Sequence, residues 1–237
     1  MCKLPKYFLF SLFFVFLYKV NAQSNLVEKE IVFVSKAKMK YFLYYPDDYQ
    51  KNKNKNYGLL LFLHGSGSIP KNNQEKFIAP ELLTNGTKFP FLILVPQHLE
   101  AKKMWNTSEV TQILDSVVND NRIDSKKIYL SGLSRGGIAA YNLAIEYPET
   151  FAAMAIVCSM APTSYAHWMN KKMPIRVYHG EKDQVIPVSE AEEMVARLKK
   201  MNYNVEFTKY KNKGHDIWDT VYTNLELYSW FNKQKKM

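Results

Sequence analysis

Gly132-Leu133-Ser134-Arg135-Gly136 directly follows the apolar run Lys127-Ile128-Tyr129-Leu130-Ser131 and precedes Ile138-Ala139-Ala140-Tyr141-Asn142-Leu143-Ala144-Ile145. The first run is β-branched and aromatic, and the last is helical and stops before Pro148. A strand that turns sharply around a serine and becomes a helix presents a hydroxyl nucleophile. Its glycines stand where the turn brings backbone too close for a Cβ. A chance G-x-S-x-G is expected about 0.02 times in a chain of this composition, so Ser134 is the residue that the rest of the chain must explain.

A hydroxyl needs a base, and the base needs a carboxylate that orients its ring. His215, in Lys213-Gly214-His215-Asp216 after the last predicted strand, is the best base. His64 and His179 each stand at a strand end before glycine, where a histidine usually holds loop backbone, while His98 and His167 lie in loops without a carrier motif. The order serine, acid, histidine then places the acid between Ser134 and His215. No Asp or Glu occurs between Glu149 and Glu181. The next strand end carries His179-Gly180-Glu181-Lys182-Asp183-Gln184-Val185-Ile186-Pro187, which makes Asp183 the first choice and Glu181 the second. Asp216 and Asp219 are poorer because they flank the base. Acyl transfer also needs N–H donors aimed at the developing oxyanion. The backbone N–H of Arg135 is one; the loop His64-Gly65-Ser66-Gly67 offers the other, with the Ser66 N–H preferred over Gly65.

These residues need a scaffold that brings strand ends together. Strands are expected over Ile31–Val34 and Tyr41–Tyr45, paired antiparallel, and then over Tyr57–Leu63 and Phe89–Val95, whose continuous apolar character marks strands covered on both faces. A helix over Ser108–Asn121 follows, with Val110, Ile113, Leu114, Val117 and Val118 on one face and Ser108 as N-cap. After the strand at Ile128 and the helix behind Ser134 come a strand at Ala152, a strand over Ile175–Tyr178 and a helix over Ser189–Met201. A strand over Val205–Tyr210 and a last helix over Trp218–Phe231 complete the series. Alternating strands and helices predict an α/β fold, a mostly parallel twisted sheet with helices on both faces and sites at the carboxyl ends of strands. Seven of the nine glycines fall beside those strand ends: Gly65, Gly67, Gly132, Gly136, Gly137, Gly180 and Gly214.

Composition narrows the class. Residues 1–22 read as an export signal, with Lys3 and Lys6, an apolar stretch over Tyr7–Leu17 and the small-residue site Val20-Asn21-Ala22; residues 23–237 are then one domain, exported to a periplasmic or extracellular destination. A run this short, ended by Lys19, does not predict stable membrane insertion once the signal is removed. Removal takes three lysines and no acid, leaving 29 basic against 22 acidic residues. Only four of the basic residues are Arg and the lysines are scattered or mixed with Asn, as in Lys51–Asn56, which argues for a solvated loop and against a nucleic-acid partner. Cys158 stands alone after signal removal and reads as a small buried strand residue. No H-x-x-x-H, H-x-H or C-x-x-C spacing offers a metal site.

The order H-G-x-G at 64–67, G-x-S-x-G at 132–136, H-G-x-x-D-x-V-I-P at 179–187 and G-H at 214–215 resembles the α/β-hydrolase superfamily. The likeness is to its compact branch of dienelactone-hydrolase-like proteins, phospholipase/carboxylesterases and esterases related to feruloyl and acetyl-xylan esterases, some labelled predicted peptidases, and runs from about Ile31 to Phe231. The resemblance implies a serine carboxylic-ester hydrolase without cofactor, with Ser134 as nucleophile, Asp183 as acid and His215 as base. A serine nucleophile departs from the cysteine of dienelactone hydrolase, so that substrate is not carried over. With room for only a short excursion over Ser159–Pro174, the cleft is expected open, without a large cap domain. Trp105, Tyr165 and Trp168 on rim loops would suit an acyl or aryl ester of a carbohydrate, and Gln97 either lines the site or caps its strand. The competing readings are a serine peptidase on the same fold and a binding protein that has lost catalysis.

Overall fold

The computed structural model describes residues 38–66, 87–98, 100 and 102–237. The export segment, the expected strand over Ile31–Val34 and Gly67 lie outside the described residues. Within them, the first strand, β1, is Lys40–Tyr44, followed by β2 (Tyr57–Leu63), β3 (Leu92–Gln97) and helix α1 (Thr107–Asp120). Then come β4 (Ile123–Leu133), α2 (Arg135–Glu146), β5 (Ala153–Val157), β6 (Ile175–Gly180), α3 (Val188–Lys200), β7 (Val205–Tyr210), α4 (Trp218–Tyr222) and α5 (Leu225–Lys233). The strands form one seven-stranded sheet in the order β1-β3-β2-β4-β5-β6-β7. All neighbours are parallel except β1 and β3, which run antiparallel with Lys40 opposite Gln97 and Tyr44 opposite Ile93.

The apolar runs dictate this arrangement because the central strands must hide both of their faces. In β2, Leu59, Leu61 and Leu63 join the layer that includes Val110, Leu114, Leu143 and Met194, residues of α1, α2 and α3. The alternate residues Leu60 and Phe62 join the opposite layer with Tyr222, Leu227 and Phe231, from α4 and α5. Period-two alternation thus feeds two cores at once, each fully buried aliphatic or aromatic side chain contributing roughly 1.5–3 kcal/mol.

Three expectations need correction. Asn106, not Ser108, caps α1: its side-chain oxygen accepts from the Ser108 and Glu109 amides, and the helix begins one residue earlier. The amide side chain satisfies two of the orphan N–H groups, which Ser108 inside the first turn cannot do. The last helix is two, because Asn224 interrupts it and accepts from the Glu226 amide to start α5. The strand expected over Phe89–Val95 begins at Leu92 and reaches Gln97. Among the described residues no helix is long and apolar enough to cross a membrane, and the β5–β6 crossover carries a single 3-10 turn, Thr163–Trp168, rather than an inserted cap.

Parallel pairing aligns the carboxyl ends of the strands. Leu63 stands beside Gly132, Leu133 beside Val157, Val157 beside Tyr178, and Gly180 beside Tyr210. The loops that follow β2, β4, β5, β6 and β7 therefore open on one edge of the sheet.

Candidate active site

Ser134 occupies the turn between β4 and α2 with φ 51° and ψ −124°, a left-handed conformation that is costly for a residue with a Cβ. The flanking glycines make the turn possible. A Cβ on Gly132 would lie 2.3 Å from the Gly136 carbonyl oxygen, and one on Gly136 would lie 2.0 Å from the Leu63 carbonyl oxygen. The turn is held from outside as well: the Ser134 amide donates to Val157 O at 2.9 Å, and the Ser159 hydroxyl donates to Ser134 O at 2.8 Å.

His215 reaches the serine from the loop after β7. Its Nε2 lies 3.0 Å from Ser134 Oγ and its Nδ1 lies 2.7 Å from Asp183 Oδ2. Nδ1 faces a carboxylate, so it carries the hydrogen and leaves Nε2 free to accept from the serine hydroxyl. The two loops can approach because position 180 is glycine: a Cβ there would meet the Gly214 carbonyl oxygen at 2.0 Å. The Trp218 ring meets the His215 ring edge-on at a centroid distance of 5.9 Å.

Asp183 has a buried side chain with both oxygens engaged. Oδ1 accepts from the Val185 and Ile186 amides at 2.8 and 2.9 Å, and Oδ2 accepts from His215. Burial pushes the carboxyl up, but the hydrogen bonds from His215, Ile186 and Val185 outweigh it and hold the group below the ordinary carboxylate range. Asp183 is thus kept ionised opposite His215. Cys158, His179 and Asp183 also offer ligand-type atoms within 4.8 Å of one another. They do not form a good cation site, because burial pushes the Cys158 thiol up to about 12 and the Asp183 oxygens already accept hydrogen bonds.

The loop after β2 lies against Ser134. A Cβ on Gly65 would stand 3.2 Å from Ser134 Cβ. The Gly65 carbonyl accepts from the neighbouring His64 ring at 2.8 Å through Nδ1, and because a trans peptide is planar the Ser66 N–H points the opposite way. His64 Nε2 in turn accepts from the His98 amide at 3.0 Å. Burial lowers the His64 imidazole to about 4, so the ring is neutral at ordinary pH and can serve as donor on one side and acceptor on the other. The Arg135 amide, in the first turn of α2, has no intrahelical partner by helix geometry. Gly65, which precedes Ser66, and Arg135, which begins α2, thus both adjoin Ser134.

Other residues singled out in the sequence have different places. Trp105 is only 6% exposed, its indole donates to His64 O at 3.3 Å, and its ring packs edge-on against His64 and His98. It backs the loop rather than standing as a stacking surface. Gln97 is buried and folds back on its own strand, donating to the Val95 and Pro96 carbonyls. Tyr165 and Trp168 are exposed and stack on each other at 4.9 Å. The residues that follow them are tied through Asn170 to Glu149, before β5, and through the Met169 carbonyl to Tyr203, before β7.

Two side chains acquire roles that sequence reasoning missed. Arg135 is 6% exposed, and its guanidinium donates to the carbonyls of His98, Glu100 and Lys103, gripping the loop before Trp105. The signal was present: Arg135 is one of only four arginines in a chain that otherwise uses lysine, and a buried fork of donors suits Arg alone. His179 also approaches Asp183, its Nε2 lying 3.2 Å from Oδ2, and its position four residues before Asp183 was the available sign.

A serine in a strained strand-to-helix turn, a histidine and a carboxylate converging from separate loops, and a parallel sheet with helices on both faces define an α/β-hydrolase. The phospholipase/carboxylesterase family model matches residues 79–228. The chain is 28% identical over 187 residues to a bifunctional acetylxylan esterase/xylanase of Neocallimastix patriciarum, a match covering 73% of this chain and 26% of that protein. It is 24% identical to a probable carboxylesterase of Oryza sativa subsp. japonica, over 69% of this chain and 83% of the other. A crystal structure of a thermostable esterase superposes with a TM-score of 0.71 at 26% identity, covering 85% of this chain and 60% of that one. The chain thus spans about a quarter of the bifunctional relative's length and 60% of the esterase of known structure. It belongs to the phospholipase/carboxylesterase family, a class of carboxylic-ester hydrolases.

Proposed function

We propose that this protein is an exported serine hydrolase that cleaves acyl or aryl esters of carbohydrates, or similar small esters, through an acyl-enzyme on Ser134. The observation that carries the reading is the unbroken relay from Asp183 Oδ2 to His215 Nδ1 at 2.7 Å and from His215 Nε2 to Ser134 Oγ at 3.0 Å. In the first step the serine hydroxyl gives its proton to His215 Nε2 as Oγ bonds to the ester carbonyl carbon. The oxyanion faces the Ser66 and Arg135 amides, and Asp183 stabilises the imidazolium. Return of the proton to the leaving alkoxide releases the alcohol. A water molecule, deprotonated by the same nitrogen, then attacks the acyl-enzyme and frees the acid. No cofactor enters these steps.

A carbohydrate ester as substrate is favoured by the likeness to an acetylxylan esterase and by the lack of an inserted cap in the β5–β6 crossover. Export is favoured by the charge and apolar pattern of residues 1–22. The scattered lysines argue for a small-molecule or carbohydrate partner and against nucleic acid, and no stable membrane insertion is proposed for the processed chain. Turnover of a panel of p-nitrophenyl, acetyl-sugar, feruloyl and peptide substrates tests the reading. Hydrolysis of acyl-sugar or aryl esters with inert peptides is expected; cleavage of the peptides alone would replace the esterase reading with a peptidase.

A further inference from the structure

We infer that His179 is a positioning residue for the acid of the relay: its Nε2–H, held on Ile186 O with Asp183 Oδ2 close beside it, sets the carboxylate so that Oδ2 meets His215. The inference rests on the catalytic reading above.

His179 lies in β6 beside Gly180 and is fully buried. Its Nε2 stands 2.9 Å from the Ile186 carbonyl oxygen and 3.2 Å from Asp183 Oδ2. Both neighbours are acceptors, so Nε2 carries the hydrogen. The alternative tautomer would set a lone pair against two oxygens and bury an unpaired N–H at Nδ1, which has no partner among the described residues. The ring is thereby confined to one tautomer and one orientation.

The contacts close a circuit. Ile186 donates its amide to Asp183 Oδ1 at 2.9 Å and accepts from His179 through its carbonyl, while His179 reaches Asp183 Oδ2. One carboxylate oxygen accepts from loop amides, and the other accepts from His215 and lies 3.2 Å from His179 Nε2. Rotation of the carboxylate about its terminal bond would break contacts on both sides. The titratable groups packed against the His179 ring are Asp183 itself and the Cys158 thiol, with His215 across the carboxylate. The Cys158 thiol is kept protonated by burial, so no second anion competes for the His179 N–H.

An apolar side chain of similar volume fills the same space and donates nothing. His179→Phe is therefore expected to reduce kcat for p-nitrophenyl acetate, and the rate at which a fluorophosphonate labels Ser134, by about 10–100-fold, with KM within about twofold of wild type. His179→Gln, whose amide can reach with an N–H, is expected to recover most of both rates although its thermal stability falls as far as that of the Phe variant. Should the Phe variant fail to fold, His179→Met provides the donor-free comparison. Donor-free variants that label as fast as wild type, or Gln and Phe variants equally impaired, would overturn the inference and leave only packing. A wild-type protein that the probe does not label would instead overturn the serine-hydrolase reading itself.

Discussion

His215 Nε2 lies 3.0 Å from Ser134 Oγ although the two residues are 81 positions apart in the chain. The contact joins the loop after β7 to the turn after β4, and it spans two intervening strands. Every catalytic expectation follows from that contact and from the 2.7 Å bond that holds the other side of the ring.

Ser134→Ala is expected to lower turnover of p-nitrophenyl acetate by at least about 10⁴-fold. Ser134→Gly should be equally inactive yet more stable than wild type by about 1 kcal/mol, because glycine adopts φ 51° without the Cβ clash. Urea denaturation of the three proteins checks the second outcome; a Gly variant less stable than wild type would show that the turn stores no strain.

Asp183→Asn should cost about 10⁴-fold in kcat, since an amide can present its N–H to the ring and favour the wrong tautomer. Asp183 titrates below its ordinary range in the fold, so it contributes stability above the unfolded carboxyl value that is lost as pH falls through the folded value. Wild type should therefore lose stability relative to the Asn variant in acid, below about pH 4. Parallel stability curves for the two proteins would count against the ionised, hydrogen-bonded carboxylate.

His64 supplies a second and separate pH dependence. Its folded value of about 4 is depressed from the ordinary 6.5, so between these limits the unfolded chain binds more protons and stability falls as pH is lowered. The full difference is roughly 3 kcal/mol, from 1.36 kcal/mol per pH unit. His64→Gln is expected to remove the part of the slope between pH 6.5 and 4 that wild type shows, as measured by urea denaturation at intervals across that window. An unchanged slope would mean that another group titrates there.

Arg135→Met strips the loop of the guanidinium that binds three of its carbonyls, and should destabilise the protein by about 2–3 kcal/mol. Lysine at the same position is expected to restore less than half of the loss, since a single ammonium cannot reproduce the fork. Full recovery by Lys would show that charge alone, and not geometry, holds the loop.

Much of this protein was legible before any coordinates. The continuous apolar run Tyr57–Leu63 and the alternating run Val205–Tyr210 coincide with β2 and β7, since strand formation responds to the local pattern of side chains. Glycines mark the strand ends for a similarly local reason: a Cβ at 132, 136 or 180 would collide with backbone. With no Asp or Glu between Glu149 and Glu181, the candidate acid falls in the loop that follows β6. The helix ends were less legible because caps are decided by single hydrogen bonds, as Asn106 and Asn224 show.

The chain by itself therefore determined the kind of scaffold, the turn that exposes Ser134 and the short set of partners for it. Only the tertiary structure decided which side chains meet. It buried Trp105 behind the loop, turned Gln97 back on its strand, stacked Trp168 on Tyr165, and set Arg135 and His179 to work on neighbouring loops. The physical reason is range: hydrophobic period and turn chemistry act over a few residues, whereas a hydrogen bond across 81 positions exists only after the sheet's register has aligned the ends of its strands.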